Sequence, residues 1–186
     1  MGLKSWLEEE GSYPTGIFKS ACALRQQVSD QIEPRRRRHP LRNVFVPLAT
    51  SLQEYIDTLM LLQNAFAGRS EINLRIRPHP VIPLESALAV APLSNTSFFS
   101  VSNASLADDL DWADVVLYAS STVAMEGITR GIPAVHLNLG EFLDTDPMIG
   151  LKEFKWSALD SPSLMEVLRE IDAVPDDRFF QLQQIG

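Results

Sequence analysis

The sequence predicts an α/β fold: a doubly wound, parallel, six-stranded sheet of Rossmann-like type. Three observations carry this expectation. From about residue 43, short β-rich runs alternate with amphipathic helical stretches. One run, "ADVVLYA" from Ala113 to Ala119, is continuously apolar, as a strand covered on both faces must be. A chain of 186 residues with 45% apolar content is also long enough for one ordinary core.

The elements follow in order. "NVFVPL" (Asn43 to Leu48) is the first strand. The next stretch reads as a helix capped by Ser51, with an apolar stripe at Leu52, Ile56, Leu59 and Met60, an interruption at Gln63 and a stop at Gly68. "INLRIRPHP" (Ile72 to Pro80) is a second strand ended by prolines, and "TSFFSVS" (Thr96 to Ser102) a third, after a connection holding about one helical turn. A short helix near Ser105 to Leu110 leads to the apolar fourth strand. A helix from Thr122 to Arg130 closes at Gly131, and "IPAVHLNL" (Ile132 to Leu139) is the fifth strand. "KWSALDS" (Lys155 to Ser161) supplies a short sixth, with Ser161 as the cap of a helix through Ile171 and Pro162 in its first turn.

Residues 1–42 stand outside this rhythm and read as a linker or crossover segment, with a short helix over Phe18 to Ile32 and then "EPRRRRHP". Residues 43–175 are the folded domain, and 176–186 a C-terminal tail. The formal charge of -8 argues against a surface devoted to nucleic acid, the run Arg35 to Arg38 being the exception. That run reads as a solvated linker or as a peripheral contact with a phosphate-rich surface such as the inner face of a membrane. The single cysteine, Cys22, forms no internal disulfide and fits a reducing compartment. No apolar run approaches the roughly 20 residues a spanning helix needs, and the acidic N-terminus is unlike a signal peptide, so the expectation is cytoplasmic.

In the usual strand order 3-2-1-4-5-6, ligands bind between strands one and four, outside their carboxyl ends. There "YASSTVAMEG" places Ser120, Ser121 and Thr122 at the start of a helix, where hydroxyls and free backbone N–H groups suit a phosphate. The alternative is that Ser121 or Thr122 serves only as an N-cap. Glu126, four residues on from Thr122, is either an acceptor for the hydroxyls of a ribose or a solvated carboxylate. Gly127 and Gly131 read as close-approach and C-cap positions. His79 in "RPHP", held between prolines on the same edge, suits donation to a phosphate oxygen or protonation of a leaving group, or else a structural hydrogen bond. His136 reads as core and His39 as linker. The "DTD" at Asp144 to Asp146 offers a weak cation site, and no metal is expected. Without GxxxxGK[ST], GxGxxG or GxSxG, the chain lacks the parts of a P-loop ATPase, a classical dehydrogenase or an α/β-hydrolase.

"NVFVPLAT", "LRIRPHP", "SVS" and "WADVVLYASSTVAMEGITRGIPAVHLNL" together resemble the donor-binding C-terminal half of GT-B fold glycosyltransferases. The similarity spans residues 43–140 and is strongest to bacterial surface-polysaccharide enzymes: sialyltransferases, capsule Kdo transferases and CDP-glycerol glycerophosphotransferases. The resemblance implies a CMP-, CDP- or UDP-linked donor and no further cofactor. It also implies that His79 contacts the donor phosphate and assists leaving-group departure, and that Ser120, Ser121 and Thr122 bind phosphate, with Ser51 as a further candidate. Glu126 in "EGITRGIP" would bind ribose, although Gly127 stands where such enzymes usually have Ala, and main chain near Val101 and Ser102 would hold the base. It further implies a second, acceptor-binding domain, in cis or in trans. A half of a sugar-nucleotide epimerase and a non-catalytic nucleotide-binding subunit remain alternatives.

Overall fold

The apolar run predicted as a mid-sheet strand is β4, Val115–Tyr118, and all four of its residues are fully buried. In the computed structural model, which describes residues 37–140 and 145–185, it lies within a six-stranded sheet ordered β3-β2-β1-β4-β5-β6. The other strands are β1 (Asn43–Pro47), β2 (Asn73–Arg77), β3 (Phe99–Val101), β5 (Ala134–Leu137) and β6 (Lys155–Ala158). Every pairing is parallel, and the order is the one predicted. Val44 pairs with Leu74 on one side and Val115 on the other, so the strand order reverses between β1 and β4.

Parallel strands need crossovers, which the helices supply. After β1 comes α1 (Leu52–Phe66), whose N-cap Ser51 accepts the Glu54 N–H. Its buried face is Tyr55, Leu59, Leu62 and Phe66, while Leu52 and Met60 are exposed. Of the predicted stripe, Leu59 is buried and Ile56 packs against the core, while Tyr55 and Phe66 take the core places expected of Leu52 and Met60. Gln63, read as the interruption, accepts the N–H and hydroxyl of Ser94 at 2.8 and 3.0 Å. The single turn expected between β2 and β3 is a seven-residue helix, α2 (Leu84–Val90), and α3 (Leu106–Trp112) follows with Ser105 as its cap.

The helix after β4 is α4 (Val123–Thr129). A Cβ on Gly127 would lie 3.0 Å from Val116 Cγ2, so this glycine sets how closely α4 approaches β4. The helix stops at Gly131, whose φ of +73° favours glycine. Beyond β6, α5 (Ser161–Ala173) is capped by Asp160 and not by Ser161: Asp160 accepts the Ser163 N–H at 2.8 Å, and the Ser163 hydroxyl oxygen accepts the Asp160 N–H at 3.0 Å. This reciprocal box satisfies two donors where Ser161 could have satisfied one.

The residues read as a tail form α6 (Asp176–Ile185), which buries Phe179 and Leu182 and donates from Gln183 Nε2 to the Gly131 carbonyl at 2.8 Å. Two residues of the arginine run make structural contacts, Arg37 largely removed from solvent and Arg38 still half-exposed. The Arg37 guanidinium donates to the Ile171, Asp172 and Val174 carbonyls at the end of α5 and lies 4.4 Å over the Phe179 ring. Arg38 reaches Asp114 at 3.4 Å and the Asp111 carbonyl. Arg35, Arg36 and the helix expected over residues 18–32 lie outside the described residues. Among the described residues, no helix is long and apolar enough to cross a membrane.

Candidate functional site

The crevice at the reversal of strand order has two lips: residues 48–51, running from β1 into α1, and residues 119–122, running from β4 into α4. They are joined by a side chain that sequence reasoning missed. Glu54, on the first turn of α1 and only 4% exposed, accepts the Ser120 N–H at 3.2 Å and the Ser120 hydroxyl at 2.7 Å. The signal was present, since Ser51-Leu52-Gln53-Glu54 matches the S-x-x-E capping box. Only half of that box forms: Ser51 caps the Glu54 N–H at 3.3 Å, while the Glu54 carboxylate is diverted across the crevice.

The structure thus brings Ser51 and Ser120 to opposite sides of one crevice, with Ser121 nearly buried and Thr122 exposed beside them. The N-cap reading describes Ser51. It does not describe Thr122, which enters α4 in a helical conformation and makes no side-chain cap.

His79 follows β2 on the same edge. Its carbonyl accepts the Ile82 N–H at 3.1 Å, closing a turn with Pro80 at the position where a fixed φ is favourable. Within that turn the imidazole Nδ1 accepts the Val81 N–H at 3.3 Å. In the neutral ring the proton therefore sits on Nε2, leaving that nitrogen as the donor. The fully buried Tyr55 of α1 anchors the turn: its hydroxyl accepts the His79 N–H and donates to the Ile82 carbonyl at 3.0 Å. Burial pushes the Tyr55 phenol above its ordinary pKa, with the hydrogen bond from His79 acting the other way.

At the third strand, the main chain proposed to hold a base is partly committed. Ser102 N–H donates to the Ile76 carbonyl at 2.8 Å, and its hydroxyl donates to Asp109 at 2.6 and 2.7 Å. Asp109, fully buried on α3, also receives Arg75 Nη1 at 3.2 Å and Arg77 Nη1 at 2.8 Å. Arg75 in turn lies 3.9 Å over the Trp112 ring. Val101 ends the edge strand half-exposed at 43%.

Glu126 lies one turn into α4, with Oε1 accepting from Arg130 Nη2 at 3.0 Å; Arg130 also reaches Asp111 at 3.1 Å. The carboxylate is therefore paired with the residue one turn on and stays partly exposed. Asp146, from the acidic tripeptide, is a buried acceptor. It takes the Tyr118 hydroxyl at 2.8 Å, the Met148 N–H at 2.9 Å and the Lys155 ammonium, with His136 Nδ1 at 3.9 Å. Asp144 lies outside the described residues, and among those described no group of three metal-ligating side chains converges.

No protein-family model matches the sequence, and neither does any curated protein. Solved structures do match in fold. A protein assigned as UDP-N-acetylglucosamine 2-epimerase from Listeria monocytogenes superposes with a TM-score of 0.56 at 12% identity, over 87% of this chain and 46% of that one. The glycotransferase of kitacinnamycin gives 0.55 at 17% identity, over 82% and 41%. Methanocaldococcus jannaschii UDP-GlcNAc 2-epimerase, solved with UDP-GlcNAc and UDP, gives 0.50 at 9% identity, over 82% and 42%. This chain spans less than half the length of each. Its sheet and helices have the fold of one half of the two-domain GT-B architecture.

Proposed function

We propose that this chain is the donor-binding domain of a glycosyl- or glycerophosphotransferase acting in surface-polysaccharide synthesis and using a CMP-, CDP- or UDP-linked donor. The observation that carries the reading is the turn that holds His79 on the carboxyl edge beside β1, where Nδ1 accepts the Val81 N–H and Nε2 is the nitrogen left to donate. A neutral imidazole so held can donate to a phosphate oxygen as the leaving group departs, stabilising the charge that develops there. The Ser121 and Thr122 hydroxyls, with Ser51 on the neighbouring connection, would hold the phosphate, while Ser120, whose N–H and hydroxyl are both given to Glu54, would shape the lip. The second oxygen of Glu126, the one not paired with Arg130, would accept a ribose hydroxyl. Main-chain atoms near Val101 and the Ser102 carbonyl would meet the base, the Ser102 N–H being already used.

Chemistry on this reading needs an acceptor-binding domain, in cis or in trans, because a donor half supplies only one wall of the cleft. Calorimetric titration with CMP, CDP and UDP tests it, and binding of none of them would sink it. His79→Asn should weaken the nucleotide that does bind. Since epimerases share the fold, a donor carrying deuterium at the sugar carbons adds a second test: wash-out of that label, with no transfer, would move the assignment to an epimerase half.

A further inference from the structure

Glu54 is buried without a cation. Among the described residues its oxygens accept only from the N–H and hydroxyl of Ser120. Around it, the carboxyl-edge connections 48–51, 78–83, 102–105 and 119–122 contain no Lys or Arg, and the longer connection from β5 to β6 carries one, Lys152, twelve residues or more past its start. Arg77, at the end of β2, is committed to Asp109 and to the Ala104 carbonyl. An anion entering between Ser51 and Ser120 therefore meets the hydroxyls of Ser51, Ser121 and Thr122, but also the Glu54 carboxylate, one hydrogen bond behind Ser120.

That charge repels a ligand in proportion to the ligand's own charge, and burial weakens the screening. A nucleoside joined to its group through a phosphodiester carries one negative charge at this position. A diphosphate carries about twice as much with no extra cation to offset it. Resting on the reading that this crevice takes the donor's phosphate, we propose that Glu54 is a specificity-determining residue that admits a singly charged phosphodiester and discriminates against diphosphates. It acts through charge while its two hydrogen bonds hold Ser120 in place.

The probes are the methyl esters of cytidine and uridine 5′-monophosphate, with about one charge each, set against the terminal methyl esters of CDP and UDP, with about two each, in calorimetric titrations of the full chain and of Glu54→Gln. Glutamine keeps the size and an acceptor for Ser120 while removing the charge. In the unsubstituted protein the diester of the preferred base should bind about tenfold more tightly than its diphosphate, and in Glu54→Gln that gap should close through tighter binding of the diphosphate. Equal affinities in the unsubstituted protein, or an unchanged gap in the variant, would overturn the proposal and leave the donor-binding reading standing. Failure of both ligand classes to bind either protein would remove the donor-binding reading and this inference with it. The comparison within the unsubstituted protein does not depend on the variant folding, and a diphosphate ester that binds there as tightly as the diester overturns the proposal by itself.

Discussion

The Tyr55 hydroxyl accepts the backbone N–H of His79, so the core of α1 fixes the position of the one imidazole on the carboxyl edge beside β1. A buried phenol is thus the mould for an exposed turn. The same hydroxyl donates to Ile82, which closes the turn from its other side.

Replacing Tyr55 by Phe keeps the ring in the core but leaves the His79 N–H and the Ile82 carbonyl without their partner. The expected cost is about 1–3 kcal/mol, read as a shift in the urea midpoint at constant slope. If the turn matters only for stability, the nucleotide affinity of the folded variant will be unchanged. A His79 that is positioned by Tyr55 predicts weaker binding as well.

Asp109 gathers Arg75, Arg77 and Ser102 at a fully buried carboxylate, tying β2 and the end of β3 to α3. Asp109→Ala would leave two guanidinium groups without their shared counter-charge. A loss of about 3–5 kcal/mol is expected, among the largest of any single substitution in this half of the sheet. Denaturant unfolding measures it, and a change under 1 kcal/mol would show that the arginines find other partners.

The strands and most helices were legible in the sequence because they follow from local rules, β-rich runs with period-three-to-four stretches between them and a doubly apolar β4 that suits a central position, whereas the sheet order came from the usual arrangement of doubly wound folds. What escaped was longer in range. The S-x-x-E pattern at Ser51 to Glu54 predicts a partner within the same turn, yet the carboxylate binds Ser120, 66 positions away, which no local pattern specifies. The α1 stripe was half misjudged, right at Ile56 and Leu59 but not at Leu52 and Met60, because these are as apolar as Tyr55 and Phe66 and only the packed neighbours decide which pair is buried. Arg37 and Arg38 read as solvated because charge runs usually are; the open carbonyls at the end of α5 gave Arg37 a better place.

Arg37→Ala tests that place. The variant loses donors to the Ile171, Asp172 and Val174 carbonyls and the contact with Phe179, so α6 should loosen from the sheet. About 2 kcal/mol of stability is expected to go, with amide exchange rising first in residues 176–185. Exchange that rises evenly across the whole chain would mean Arg37 is not a local fastener.

Acid should act through Asp146. Burial alone would raise its carboxyl pKa, but hydrogen bonds from Lys155, the Met148 N–H and Tyr118, with His136 beside them, hold it below its ordinary value. A folded pKa below the unfolded one means the native state binds fewer protons, so this contribution is present above about pH 4 and is lost as pH falls below it through the folded value. Lys155→Met removes the largest of the lowering influences and leaves the carboxylate buried beside Tyr118 and Met148. The variant should lose about 3–5 kcal/mol at neutral pH, and its acid transition should move to higher pH because a carboxyl without the ammonium protonates more readily. Urea midpoints measured from pH 3 to pH 7 separate the two effects. A uniform loss with an unmoved acid limb would place the responsible carboxyl elsewhere in the chain.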